Sequence, residues 1–277
     1  MMRRETAVAG LASSLHGSGP GAVFIEVDNV SKTYSARDGS DTLAVDNVDL
    51  GIRSGEFVSL VGQSGCGKST LLSIIAGLIE PTRGQIRIDG QAVTRPYTNI
   101  GIVFQSDLLL DWRTVLGNVL FQFEMRGEDP RPFVDRARTL VASVGLDGFE
   151  KKHPFELSGG MRQRVSLCRA LVHDPPLLLM DEPFGALDAL TREQLQVDLQ
   201  RLWQQTRKTV VFVTHSIAEA VFLSDRLVVM TPRPGRVREV LPIDLERPRD
   251  LEVRESQAFN QYLRRVNRLF QEMGVIR

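Results

Sequence analysis

The stretch Gly62-Gln63-Ser64-Gly65-Cys66-Gly67-Lys68-Ser69 satisfies the pattern G-x-x-x-x-G-K-[ST], and its flanks narrow what the chain can fold into. Phe57 to Val61 reads as a short buried strand, and Leu71, Leu72, Ile74 and Ile75 fit a helix that begins inside the loop. Glycines let the backbone bend around a polyphosphate with its N–H groups turned inward, and the helix N-terminus adds partial positive charge at the same place. In such a loop Lys68 reaches the outer phosphates and the Ser69 hydroxyl ligates Mg²⁺. With 42% hydrophobic and 25% charged residues, the chain suits one large α/β domain or two modest ones.

The remaining chain reads as further strands and helices. Val23 to Val30 and Thr42 to Ile52 read as two strands of an antiparallel hairpin, turning at Arg37-Asp38-Gly39-Ser40. Tyr34, just before the turn, is either a stacking surface for a base or a packed hairpin aromatic. Gly84 to Asp89 is a further strand, and Ile100 to Phe104 a buried one ending at Gln105, which faces either a ligand or a solvated loop. From Ser106 to about Phe155 the spacing turns helical, with Pro130 and Pro132 between two helices and Gly145 stopping the second. Within this inserted subdomain, Leu108-Leu109-Leu110-Asp111-Trp112 is either core or a surface that meets a partner.

Two further points carry chemistry. Leu157-Ser158-Gly159-Gly160 precedes a helix over Val165 to Val172, a capped N-terminus that is also a second anion site. Leu177 to Met180 is an apolar strand delivering Asp181 and Glu182 at its end, before Pro183 stops it. Paired acids after an apolar run are costly unless used, and beside a phosphate loop they fit a Mg²⁺ ligand and a general base for water. A helix over Leu190 to Thr206 and a strand over Thr209 to Thr214 place His215 at a neighbouring strand end, where parallel sheets gather their ligand crevice. Arg226 to Met230 is expected to close the sheet, Pro232, Pro234 and Gly235 to break the chain, and Phe259 to Met273 to form an amphipathic helix packed on the body.

Composition bounds the partners. Lys plus Arg and Asp plus Glu number 34 each, so no basic field draws the chain to nucleic acid, and none is expected as a partner. No apolar run reaches the roughly 18 residues that a membrane-spanning helix needs. Residues 1–22 read as a disordered tail. With two cysteines, one of them in the phosphate loop where a crosslink would obstruct a ligand, a reduced cytoplasmic compartment is expected.

Taken in order, these pieces resemble the ATP-binding subunits of ABC transporters from about Val23 to Val240. The loop ending Lys68-Ser69 is similar to Walker A, Gln105 to the Q-loop, Leu157 to Arg164 to the signature, Leu178 to Glu182 to Walker B, Ala186-Leu187-Asp188 to the D-loop, and His215 to the switch histidine. Met161 and Arg162 depart from the more widespread Gln-Gln without touching Ser158, Gly159 or Gly160. The resemblance implies a P-loop, RecA-like α/β core with an antiparallel β subdomain and a helical subdomain at about 106–160. The cassette would run over 23–240, with a charged segment and helix over 241–277.

It implies ATP held by Tyr34, Gly62 to Thr70 and, from a second copy arranged head to tail, Ser158, Gly159, Gly160 and Asp188. It implies Mg²⁺ on Ser69, Gln105 and Asp181, and hydrolysis served by Glu182, His215, Gln105 and Lys68. The implied partners are integral membrane permease subunits and, indirectly, a solute-binding protein, with this chain peripheral on the cytoplasmic face of the inner membrane. Met161 to Arg164, Asp181 to Asp188, Leu108 to Trp112 and Pro232 to Gly235 look like the nitrate, sulfonate and taurine importer group. A chromosome-maintenance ATPase would need long coiled-coil arms between Lys68 and Ser158, and roughly 90 residues are too few for them.

Overall fold

The computed structural model describes residues 22–36 and 39–276; the expected N-terminal tail up to residue 21 and the turn residues Arg37 and Asp38 lie outside them. The chain forms β1 (Val23–Ser35), β2 (Asp41–Arg53), β3 (Phe57–Val61), α1 (Lys68–Ile75), β4 (Arg83–Ile88), β5 (Gln91–Ala92) and β6 (Ile100–Val103). There follow α2 (Val115–Met125), α3 (Val134–Ser143), α4 (Gly159–Leu171), β7 (Leu177–Asp181), α5 (Ala189–Thr206) and β8 (Thr209–Thr214). The last elements are α6 (Ile217–Leu223), β9 (Arg226–Met230), β10 (Val237–Pro242) and α7 (Gln257–Glu272).

Two sheets result. One is antiparallel, ordered β2-β1-β4-β5; the other is ordered β10-β9-β3-β8-β7-β6 and is parallel from β9 to β6. Strands covered on both faces read as continuous apolar runs, and alternate residues of each run serve opposite cores. Phe57 and Val61, Leu178 and Met180, Val210 and Phe212, Leu227 and Val229 face α4, α5, α6 and α7. Val58 and Leu60, Leu177 and Leu179, Val211 and Val213, Val228 and Met230 face α1 and the antiparallel sheet. A one-residue slip of any strand would exchange the two sets, so the register is fixed by both cores together.

Arg226 to Met230 does not close the sheet as expected. The chain reverses and β10 adds an antiparallel edge to β9, pairing Val237 with Met230 and Leu241 with Leu227. The exposed edge ends at Pro242, which has no N–H to offer a further strand.

The helical insertion has its own core, in which α2 and α3 pack Val119, Phe123, Ala137 and Val141 against Val165 and Cys168 of α4. Phe123 stacks on Phe133 with ring centroids 3.7 Å apart. The same α4 sends Leu167, Ala170 and Leu171 into the core beneath the parallel sheet. It is therefore a strut shared by both bodies.

Helix α7 docks as its periodicity predicts, burying Phe259, Val266, Leu269 and Phe270 against that core. The chain leading into it is anchored by Arg249, which is 2% exposed. Its guanidinium donates to the carbonyls of Val221, Phe222 and Ser224 at the end of α6, at 2.8–3.0 Å, and to Ile243 and Leu245. Burial, with the nearby Arg247 cation, pulls its pKa down to about 10, which leaves it charged at neutral pH. Arg249→Met would leave these carbonyls without a donor, so we expect a loss of about 3 kcal/mol. The denaturant midpoint of the variant measures it; an unchanged midpoint would mean that water replaces the guanidinium.

Candidate functional site

Parallel pairing sets the ends of three strands side by side, with Val61 opposite Thr214 and Asp181 opposite Val213. Gly62 leaves β3, Glu182 leaves β7 and His215 leaves β8 at that common edge. The loop that follows β3 turns at Gly65 (φ +74°) and Gly67 (φ +105°), the residue that caps α1. Positive φ at Gly67 is open to glycine alone at little cost, and a Cβ there would also stand 2.6 Å from the Ala44 carbonyl oxygen of β2. The loop is thus wedged against the antiparallel sheet.

Lys68 is buried, and its ammonium donates to the carbonyls of Gly62 at 2.8 Å and Gln63 at 3.0 Å. Ser69 Oγ donates to Asp181 Oδ1 at 2.9 Å, tying the first turn of α1 to the end of β7. Burial raises the Asp181 pKa, and the Ser69 hydrogen bond opposes that shift. Glu182 takes a left-handed φ of +47°, uncommon for a residue with a side chain and typical of places where one must be aimed. Its N–H donates to the Val213 carbonyl at 2.9 Å, and its Oε2 lies 3.0 Å from His215 Nδ1. Next to His215, the Thr214 hydroxyl donates to the buried Glu219 carboxylate at 2.6 Å and Ser216 caps α6, so the histidine sits on a braced turn.

A cavity of about 220 Å³ opens over this edge, lined among others by Tyr34, Ser64, Gly65, Gly67 to Thr70 and Glu182. Tyr34 lies on its wall, 40% exposed, with its hydroxyl 3.5 Å from Thr70 Oγ1, and not in the interior of the hairpin. The Cys66 backbone belongs to the loop, and its thiol turns away from the cavity into the core, where burial raises its pKa. It fills the space beside Gly62, where an added Cβ would stand 2.8 Å from the sulfur.

Other predicted residues lie apart from the cavity. Gln105 is exposed after β6, next to the Glu182 turn, so that a Cβ on Gly185 would stand 3.1 Å from its amide nitrogen. Ser158 caps α4, accepting from Met161 N at 3.3 Å, and Asp188 caps α5, accepting from Thr191 N at 3.0 Å. A Cβ on Gly160 would meet Thr191 Cγ2 at 2.2 Å, so the two capped helix starts are pressed together. Ser158, Gly159, Asp188 and the 80% exposed Leu190 lie on the surface there, and none of them lines the cavity.

Sequence reasoning missed Thr42, Ala44 and Arg233, all of which line the cavity. The run Pro232 to Gly235 signalled a chain break and a likeness to one importer group, and no spacing rule ties it to a loop some 168 residues earlier. A second concavity, about 460 Å³, lies between β6 and α2, with an apolar floor of Ile100, Ile102, Phe104, Leu108, Phe121 and Met125. Leu108 is 54% exposed and Met125 69%. Trp112 is 74% exposed and lies outside that lining, which decides for a surface position over a core one.

Residues 45–185 match the model of the ABC transporter family. An uncharacterized ABC transporter ATP-binding protein of Methanocaldococcus jannaschii is 49% identical over 88% of this chain and 90% of that protein. The aliphatic sulfonates import ATP-binding protein SsuB of Bacillus thuringiensis subsp. konkukian is 42% identical over 91% of this chain and 98% of its own length. The taurine import ATP-binding protein TauB of Rhizobium johnstonii is 49% identical over 81% and 86%. Among solved structures, the dimeric structure of the ABC transporter cassette MJ0796 matches with a TM-score of 0.70 and 35% identity, over 80% of this chain and all of that one. A second structure of that cassette, a dimeric post-hydrolysis state bound to ADP and Pi, matches with a TM-score of 0.67. With the phosphate loop, the acid pair and the strand-end histidine at one sheet edge, and with relatives of this closeness over most of its length, the chain belongs to the ABC transporter family as an ATP-binding protein with the ABC ATPase fold.

Proposed function

We propose that this chain hydrolyses ATP in a head-to-tail dimer and so drives import of a small sulfonate- or taurine-like solute through a separate membrane permease. The observation that carries the catalytic part is the convergence of Lys68, Ser69, Asp181, Glu182 and His215 at one sheet edge. Two of the three Lys68 N–H groups are held by loop carbonyls, and beyond these the ammonium meets only the weak acceptor Cys66 Sγ at 3.9 Å, which a phosphate oxygen would outcompete. Glu182 Oε1 is the oxygen left to take a proton from water, while His215, held through Nδ1, keeps its other nitrogen for the outer phosphate. Ser69 Oγ and the Asp181 carboxylate are hard oxygen donors already in contact, a set that suits Mg²⁺, which binds one or two carboxylates together with phosphate oxygens. Those two residues, with Gln105, would hold the ion, which when bound neutralises charge on the phosphates.

The dimer is supported by the MJ0796 dimers and by the exposed Ser158, Gly159 and Asp188, none of which lines the cavity over the phosphate loop. The importer reading rests on SsuB and TauB, whose names state sulfonate and taurine import. We take the permease to be a separate chain; among the described residues no helix is long and apolar enough to cross a membrane. We place this subunit on the cytoplasmic face, its apolar concavity between β6 and α2 receiving the permease. The solute is best identified through the binding protein that delivers it, by testing which solutes stabilise that protein.

Three outcomes test this reading. Glu182→Gln keeps the shape but removes the base, so ATP turnover should fall roughly 100-fold or more with Mg-ATP still bound. The variant should run as a nucleotide-held dimer in size-exclusion chromatography, and adding Ser158→Arg should return it to monomer without loss of nucleotide binding. Loss of binding by that monomer would mean that Ser158 serves its own chain's site. Mg-ATP should slow alkylation of Cys66, whose thiol is reached only when the loop opens, far more than that of Cys168; equal protection counts against the loop as the site. Leu108→Glu should abolish co-purification with the permease and leave nucleotide affinity within twofold, whereas retained co-purification would move the docking surface elsewhere.

A further inference from the structure

Thr231 to Arg236 crosses from β9 to β10 over the phosphate loop. This turn is held on several sides. Gly235 N–H donates to the Ala44 carbonyl and its own carbonyl accepts from Asp46 N–H, both at 2.9 Å. The Arg236 guanidinium holds the Asp46 carboxylate, with Nε 2.8 Å away. The Thr231 hydroxyl donates to the Pro234 carbonyl at 2.9 Å and accepts from Arg236 N–H at the same distance, closing the turn on itself. A Cβ on Gly235 would stand 2.0 Å from the Cys66 carbonyl oxygen, so only glycine lets the turn lie this close to the loop.

The side chain that this braced turn extends is Arg233. It reaches the cavity wall, and Nε and Nη2 donate to the Gly65 carbonyl at 3.2 and 3.1 Å. That carbonyl belongs to the residue at φ +74° at the tip of the loop. Among the described residues no carboxylate lies within 4 Å of the guanidinium, whereas its neighbour Arg236 is ion-paired to Asp46. The other cation of the cavity, Lys68, is buried with its ammonium turned to the loop's own carbonyls. An exposed guanidinium that pairs with no carboxylate among the described residues, on the wall of the cavity over the phosphate loop, has N–H groups to spare for an anion.

We propose that Arg233 is a nucleotide-binding residue, fixing the loop tip through Gly65 and giving its remaining N–H groups to a phosphate of the nucleotide. The proposal rests on the reading of this cavity as the ATP site. It supplies that site with a cation from the chain's second half, carried by a turn that β2 and the loop hold in place.

Calorimetric titration of the full chain with Mg-ATP and with Mg-ADP tests it on Arg233→Gln, Arg233→Lys and, as a control, Lys68→Ala. Arg233→Gln should weaken both nucleotides about tenfold, the range for a lost charge-assisted hydrogen bond. It should also flatten the salt dependence of binding, and Arg233→Lys should restore part of each. The melting temperature without nucleotide should stay that of the parent, with a smaller rise on adding Mg-ATP. If Arg233→Gln binds both nucleotides like the parent, or binds them weakly with the parent's salt dependence, the residue contributes no charge to the ligand and the proposal is overturned. If Lys68→Ala also binds like the parent, the ATP reading of the cavity is what has failed.

Discussion

The parallel register of β3, β8 and β7 is the constraint on which the rest depends. Five consecutive buried residues in β3 and six in β8 leave these strands no solvent face, so their side chains must divide between two cores. That division forbids slippage, and with slippage forbidden the three strand ends stay level. A phosphate loop, an acid pair more than a hundred residues further on and a histidine 33 residues beyond that become neighbours because apolar residues below them alternate correctly. The chemistry at the edge is thus inherited from packing beneath it.

Much of this was legible before any coordinates. The loop is contiguous, and each of its residue types has a local physical reason, so spacing alone identifies it. Asp181 and Glu182 were legible because an apolar strand that ends in two acids has few uses. His215 followed from the sheet rule, not from its own neighbourhood. Strand β10 was hidden because Glu239, on the partly covered face of the strand, breaks the apolar alternation; Arg265 of α7 holds it with bonds of 2.9 and 3.0 Å. Arg233 was hidden for a different reason, since its place at the loop depends on a glycine passing close to a carbonyl, which no one-dimensional pattern records. For Cys66, membership of the loop says where the backbone runs and not where the thiol turns.

Helix α4 links the two bodies in a specific way. It is capped by Ser158, one of its faces packs Val165 and Cys168 in the insertion, and the other packs Leu167, Ala170 and Leu171 beneath the parallel sheet. Gly160 lets α5 approach at Thr191, so the starts of both helices share one surface. Displacing that surface relative to the phosphate loop means moving α4 as a rod in two cores at once. Small shifts there would be transmitted along the helix and would not be absorbed where they arise.

Arg249 has a consequence for where this cassette ends. Its guanidinium serves carbonyls at the close of α6, and α6 starts one residue after the turn that carries His215. The tip of the segment beyond β10 therefore finishes a helix that belongs to the central fold. A chain cut before residue 249 would lose more than an appended helix, because it would uncap, from within, the element that follows the histidine.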